Sequence, residues 1–166
     1  MDIAIHVSDA LDEAHTLGII HRDVKSSNLI ISQRGIVKML DFGLAKVVEG
    51  DAPLDSSELT VSLGQQTAYG TVMGTVSYMS PEQAKGLKVD ARSDLWSLGV
   101  ILYEMATRTR PFQGSTAAVV FKEILTKETV PVRERNPNIP AALESIIARL
   151  LEKDREINEK RIALLQ

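Results

Sequence analysis

Eight consecutive residues, His21-Arg22-Asp23-Val24-Lys25-Ser26-Ser27-Asn28, concentrate polar and ionisable groups between an apolar-periodic segment and a β-branched run. Thirteen residues after Asn28, at the end of a second β-branched run, comes Asp41-Phe42-Gly43. Two carboxylates, an amide and a lysine therefore belong to the ends of one short hairpin. Hard oxygen ligands, few in number, suit a magnesium ion that keeps room for phosphate oxygens and water. A free carboxylate beside them orients a hydroxyl nucleophile and takes its proton. A lysine at the same place neutralises charge on a transferring phosphoryl group. Each triplet taken alone is better explained by a structural ion pair within His21-Arg22-Asp23 and a turn capped by Asp41.

The elements that must position these groups are mostly helical. Ile3, Val7, Ala10, Leu11 and Ala14 recur at spacings of three and four, one apolar face of a helix over residues 1–16. Gly18 suits the stop just beyond its end. Leu29-Ile30-Ile31 and Ile36-Val37-Lys38-Met39-Leu40 flank Ser32-Gln33-Arg34-Gly35 and predict a small hairpin. Ser93 is expected to cap a helix running to Thr107. Its Leu95, Trp96, Leu98, Val100, Ile101, Leu102 and Met105 cover most of the circumference, the mark of a buried helix. Ser115 is expected to cap a helix to Lys127. A last helix follows Pro140, with Leu143, Ile146, Ile147, Leu150 and Leu151 inward. The fold class is mainly α with one small β-hairpin.

Composition narrows the function classes. With 166 residues, 44% apolar and 25% charged, the chain is an ordinary globular sequence of about one domain. Its net charge of −3 gives no electrostatic reason to expect nucleic acid or anionic lipid as a partner. The absence of cysteine excludes disulfides and thiolate metal sites, and three histidines make a multi-histidine site unexpected. The longest strongly apolar run, Leu95 to Tyr103, falls short of the roughly 20 residues that cross a bilayer. Asp2 and Asp9, with no early Lys or Arg, argue against a secretory signal, so a cytoplasmic location is expected. Between Lys46 and Lys85 there is no Lys or Arg, while eleven hydroxyl side chains lie between Ser56 and Ser80. Such a stretch buries little and predicts a long surface loop, either functional or disordered.

Taken together, His21-Arg22-Asp23-x-Lys25-x-x-Asn28 followed by Asp41-Phe42-Gly43 resembles the catalytic and magnesium loops of eukaryotic-type protein kinases. The resemblance continues in order through Gly74-Thr75-Val76-Ser77-Tyr78-Met79-Ser80-Pro81-Glu82, then Asp90-Ala91-Arg92-Ser93-Asp94-Leu95-Trp96-Ser97-Leu98-Gly99, then Arg110-Pro111-Phe112. Lys25 and Gly74-Thr75 resemble the serine/threonine branch, and the Ser-Pro-Glu-Gln run its bacterial members. The resemblance implies the large, C-terminal lobe over residues 1–155, with a catalytic loop at 21–28, a magnesium loop at 41–43 and an activation segment over 41–82. Residues 156–166 read as a divergent tail.

Residue by residue, the resemblance implies Asp23 as catalytic base and Lys25 facing the γ-phosphate of ATP. It implies Asn28 and Asp41 as Mg2+ ligands and Ile30 as the lower apolar face of the adenine pocket. Arg22 is implied as the cation that meets a phosphorylated activation loop, with Thr67 and Thr71 as the phosphate acceptors. His21, Thr75, Glu82 and Asp94 are implied in structural roles: Thr75 bonding Asp23 and Lys25, and Asp94 buried and bonding the catalytic-loop backbone. Asn158 stands where the family carries the arginine that pairs with the residue equivalent to Glu82; Arg155 or Arg161 substitutes, or the pair is lost.

The implied partners are ATP and a protein bearing Ser or Thr. A third partner is implied as well, because no Gly-x-Gly-x-x-Gly loop and no Ala-x-Lys strand occur and Met1 falls inside the first helix. The small N-terminal lobe is expected to be missing, with little or no activity from this chain alone. A truncated, inactive pseudokinase acting as a scaffold is the alternative. Mass spectrometry of the autophosphorylated full-length enzyme is expected to find phosphate on Thr67 or Thr71. No modified residue between 60 and 75 contradicts that assignment.

Overall fold

A computed structural model describes residues 2–40, 46–47 and 72–154 of the chain. Helix α1 (Asp2–Thr16) buries Val7, Leu11 and Ala14, with Ile3 and Ala10 at the edge of the same stripe. It ends at Gly18, whose φ of +72° is the left-handed conformation that closes a helix at little cost for glycine. Strand β1 (Ile19–Ile20) follows at once and pairs antiparallel with β4 (Lys46–Val47). Between them a 3-10 turn (Ser26–Asn28) leads into the hairpin of β2 (Leu29–Ile31) and β3 (Val37–Met39), paired antiparallel with Ile30 opposite Lys38. Gly35, at φ +78°, supplies the turn that joins them. The hairpin was legible from its β-branched runs. Strands β1 and β4 were not, since two residues carry no periodicity.

Beyond residue 71 the described chain is helical: α2 (Val72–Val76), α3 (Pro81–Ala84), α4 (Ala91–Thr107), α5 (Ala117–Thr126), α6 (Val132–Arg135) and α7 (Ala141–Leu150). Helix α4 is the axis of the core, with an unbroken run of buried residues from Trp96 to Tyr103. A β-carbon built on Gly99 would lie 2.7 Å from Leu150 Cβ, so α7 crosses α4 at a separation that only glycine permits. Trp96 stacks on Phe112 with ring centroids 5.6 Å apart, fixing the segment between α4 and α5 against the core.

Three sequence expectations are corrected. Ser93 does not cap α4: Asp90 does, accepting from the Arg92 N–H at 3.0 Å, and Ser93 lies inside the helix, buried. An aspartate three residues earlier is an equally good cap, and starting there gains most of a turn. Thr116 rather than Ser115 caps α5, accepting from Val119 N–H. Ile146 on α7 and Met105 on α4 point outward, because one helix face cannot hold both Ile146 and Ile147, or the whole circumference of α4.

Candidate active site

The segment from β1 to β2 is built around a buried carboxylate on a distant helix. Asp94, in the first turn of α4 and inaccessible to solvent, accepts from the backbone N–H of His21 at 2.9 Å and of Arg22 at 2.8 Å. His15 Nε2, from the last turn of α1, donates to the same carboxylate at 2.8 Å. Desolvating a carboxylate is costly unless its lone pairs are engaged, and here three donors from two elements engage them. Two backbone amides and one helix end are thereby tied to a single point on α4.

His21 is fully buried and spans the site rather than facing a ligand. Its Nδ1 accepts from Asp23 N–H at 3.3 Å and its Nε2 lies 3.2 Å from the Leu40 carbonyl. One neutral tautomer, protonated on Nε2, satisfies both. Leu40 is also held by its N–H to the Asn28 carbonyl at 2.8 Å, so it is fixed to both ends of the loop at residues 21–28. Asp41 itself lies outside the described residues, as do Thr67, Thr71, Arg155, Asn158 and Arg161.

Asp23, Lys25 and Asn28 come together. Lys25 Nζ donates to Asp23 Oδ2 at 2.7 Å, with each side chain 19% exposed, so the pair is accessible at the rim of the loop. Asn28 Nδ2 donates to the Asp23 carbonyl at 3.0 Å and lies 3.4 Å from Asp23 Oδ2. With Nδ2 so engaged, Oδ1 is the atom of Asn28 left with metal-ligating chemistry. Lys25 Nζ also reaches Thr75 Oγ1 at 3.4 Å. Ile30, on β2, is 49% exposed, and the alternation along the paired strands puts exposed Ile36 and Leu40 on the same outer face of the hairpin. Arg22 adopts φ +67°, a left-handed backbone uncommon for a residue with a side chain.

A second set of bonds ties the segment after Gly74 to the same loop. Ser80 caps α3 reciprocally with Gln83: Gln83 N–H donates to Ser80 Oγ at 3.3 Å and Ser80 N–H to Gln83 Oε1 at 3.0 Å. Ser93 Oγ donates to Glu82 Oε1, and Ser80 Oγ to Ser93 Oγ at 3.1 Å. Ser97 Oγ donates to the Tyr78 carbonyl at 2.8 Å. Tyr78 Oη donates to Glu104 Oε2 at 2.5 Å, which leaves the Ser26 hydroxyl, 2.7 Å away, as donor to Tyr78. Arg110 Nε completes the network at 3.1 Å from Glu104 Oε1.

This chain matches the protein kinase domain model over residues 1–165. It is 42% identical over 154 residues to a probable serine/threonine-protein kinase of Clostridium perfringens and 41% identical over 154 residues to a probable serine/threonine-protein kinase PknB of Bifidobacterium longum. Each alignment covers 93% of this chain and 21% of the relative. With the serine/threonine-protein kinase PknB of Mycobacterium tuberculosis the identity is 38% over 156 residues, 94% of this chain and 23% of the relative.

The chain belongs to the protein kinase family. It spans about a fifth of the length of the curated relatives it matches. No described helix is long and apolar enough to cross a membrane. His15 bonds the Asp94 carboxylate and Gln83 the Arg22 carbonyl, though neither is singled out by the sequence. His15 looks like the polar end of an amphipathic helix, and Gln83 follows a motif that draws attention to Pro81 and Glu82.

Burial, reinforced by the hydrogen bond to Glu104, raises the Tyr78 phenol above its ordinary value of 10.0, against the opposing bond from Ser26. The folded kinase then holds a proton that the unfolded chain has released. The Tyr78 contribution to stability is therefore full below pH 10 and lost as pH rises through the folded value. Tyr78→Phe is expected to lower stability by about 1 kcal/mol at neutral pH. Urea unfolding followed from about pH 8 to about pH 11 should show the gap between wild type and variant narrowing. A gap that is constant or widens contradicts the assignment.

Proposed function

We propose that this chain supplies the large lobe of a serine/threonine protein kinase active site, which transfers the γ-phosphoryl group of ATP to a protein hydroxyl. The observation that carries the reading is the Asp23 carboxylate, accessible at the loop rim and held by Lys25 and Asn28 on a backbone anchored to Asp94. The donor types suit a magnesium–triphosphate: an amide oxygen on Asn28, a carboxylate on Asp41, which follows Leu40 in sequence, and a cation on Lys25. Asn28 and Asp41 would hold the Mg2+, and the chemistry it would supply there is neutralisation of phosphate charge.

The residues of this chain do the rest. Asp23 orients the substrate hydroxyl and accepts its proton, while Lys25 offsets charge on the transferring group and keeps Asp23 from turning away. Ile30 offers an apolar edge of β2 to the adenine ring, consistent with its exposure. Arg22 receives the phosphate of a modified Thr67 or Thr71. Glu82 is a structural acceptor for Ser93 of α4. The small lobe with its glycine-rich loop comes from sequence other than these 166 residues, and it covers the apolar outer surface of the hairpin.

The reading is tested in the complete reading frame that contains this segment. Magnesium-dependent phosphate transfer from ATP to protein Ser or Thr is expected, and Asp23→Asn should lower kcat by about 10²–10⁴. Turnover that survives Asp23→Asn undiminished contradicts the proposed role of Asp23. A complete frame with no transfer at all favours a binding module.

A further inference from the structure

Gln83 Nε2 donates to the carbonyl of Arg22 at 2.8 Å, across 61 positions of sequence. The other end of the same carboxamide, Oε1, accepts from Ser80 N–H. Both polar atoms of Gln83 are thus committed, and its amide orientation is determined: flipped, it would set N–H against N–H and C=O against C=O. The Arg22 carbonyl is half of the peptide unit whose other half is the Asp23 N–H, and that N–H donates to His21 Nδ1. Because the unit is planar and rigid, Gln83 and His21 hold it from both ends. On the other side of Arg22, the preceding unit is held by Asp94 through the Arg22 N–H. The left-handed φ of +67° at Arg22 lies between these two pinned planes. A residue with a side chain keeps that conformation only where its surroundings over-determine it.

We propose that Gln83 is a positioning residue for Asp23, setting the direction of the Arg22–Asp23 peptide and hence of the Asp23 side chain toward the reacting hydroxyl. The inference rests on the kinase reading above and adds a residue outside the catalytic loop to it. The link from α3 to Asp23 runs through the Gln83 carboxamide and the Ser80 N–H it accepts from, and not through the Ser80 hydroxyl.

Gln83→Glu separates this role from a merely structural one. The carboxylate still accepts from Ser80 N–H, so the cap of α3 survives, but it has no proton for the Arg22 carbonyl and sets an oxygen against it. In the complete reading frame, Gln83→Glu is expected to lower kcat by about tenfold or more, as small misplacements of a reacting group do, with KM for ATP and for a Ser/Thr peptide within about twofold. Amide exchange at Asp23 should accelerate while exchange in α4 is unchanged. Ser80→Ala, which weakens the cap and leaves the Gln83 amide in place, is expected to keep kcat within about twofold.

An unchanged kcat in Gln83→Glu, with Asp23→Asn inactive, overturns the inference and leaves the kinase reading standing. So does an equal loss of kcat in Ser80→Ala and Gln83→Glu. If Asp23→Asn is also silent, it is the kinase reading that fails. Should Gln83→Glu not fold, Gln83→Met carries the same kcat and exchange comparison, with the same results supporting or overturning the role.

Discussion

The Asp94 carboxylate is the constraint on which the site depends. It sits at the start of the most buried of the described helices, and its oxygens meet two backbone amides of the loop at residues 21–28 and the ring of His15. A buried charge of this kind is strongly destabilising if a partner is lost, which makes the arrangement close to all-or-none. Either the loop is seated on α4 with its amides on Asp94, or the carboxylate is stranded. The geometry of Asp23, Lys25 and Asn28 follows from that seating and from the hydrogen bonds among the three.

Helix α4 carries the site in a second way. Ser93 and Ser97 lie one turn apart on its buried surface, where hydroxyls are costly unless bonded. Both are bonded to the chain between Tyr78 and Glu82. The same helix thus anchors the loop at residues 21–28 by a carboxylate and the segment from Tyr78 to Glu82 by hydroxyls. Gln83 and Ser26 then join the two anchored segments directly. An apolar helix with a few polar residues at one end is a suitable platform, because its position is fixed by the buried run from Trp96 to Tyr103. The close approach of α7 at Gly99 is part of that fixing.

What could be read from the sequence follows the strength of the local signal. Long periodic segments announced α1, α4, α5 and α7, and the β-branched runs around Ser32–Gly35 announced the hairpin. The polar cluster at 21–28 marked the loop where Asp23, Lys25 and Asn28 meet, and the family resemblance implied the buried Asp94 that bonds its backbone. At the start of α4, Asp90 rather than Ser93 caps, which lengthens the helix by most of a turn. Ile146 went outward because only geometry in three dimensions says which of two adjacent isoleucines meets α4. His15 and Gln83 act across 79 and 61 positions, and no local pattern carries such a pairing.

The seating of the residue 21–28 backbone on the buried Asp94 carboxylate of α4 is tested most directly by hydrogen exchange at the two amides concerned. His21 and Arg22 lie in a loop, where amides ordinarily exchange fast, so their rates discriminate. The account requires both N–H groups to be protected to the level of the α4 core, opening only when the whole domain unfolds. Rates matching those of the exposed hairpin turn, alongside a protected α4, would contradict it.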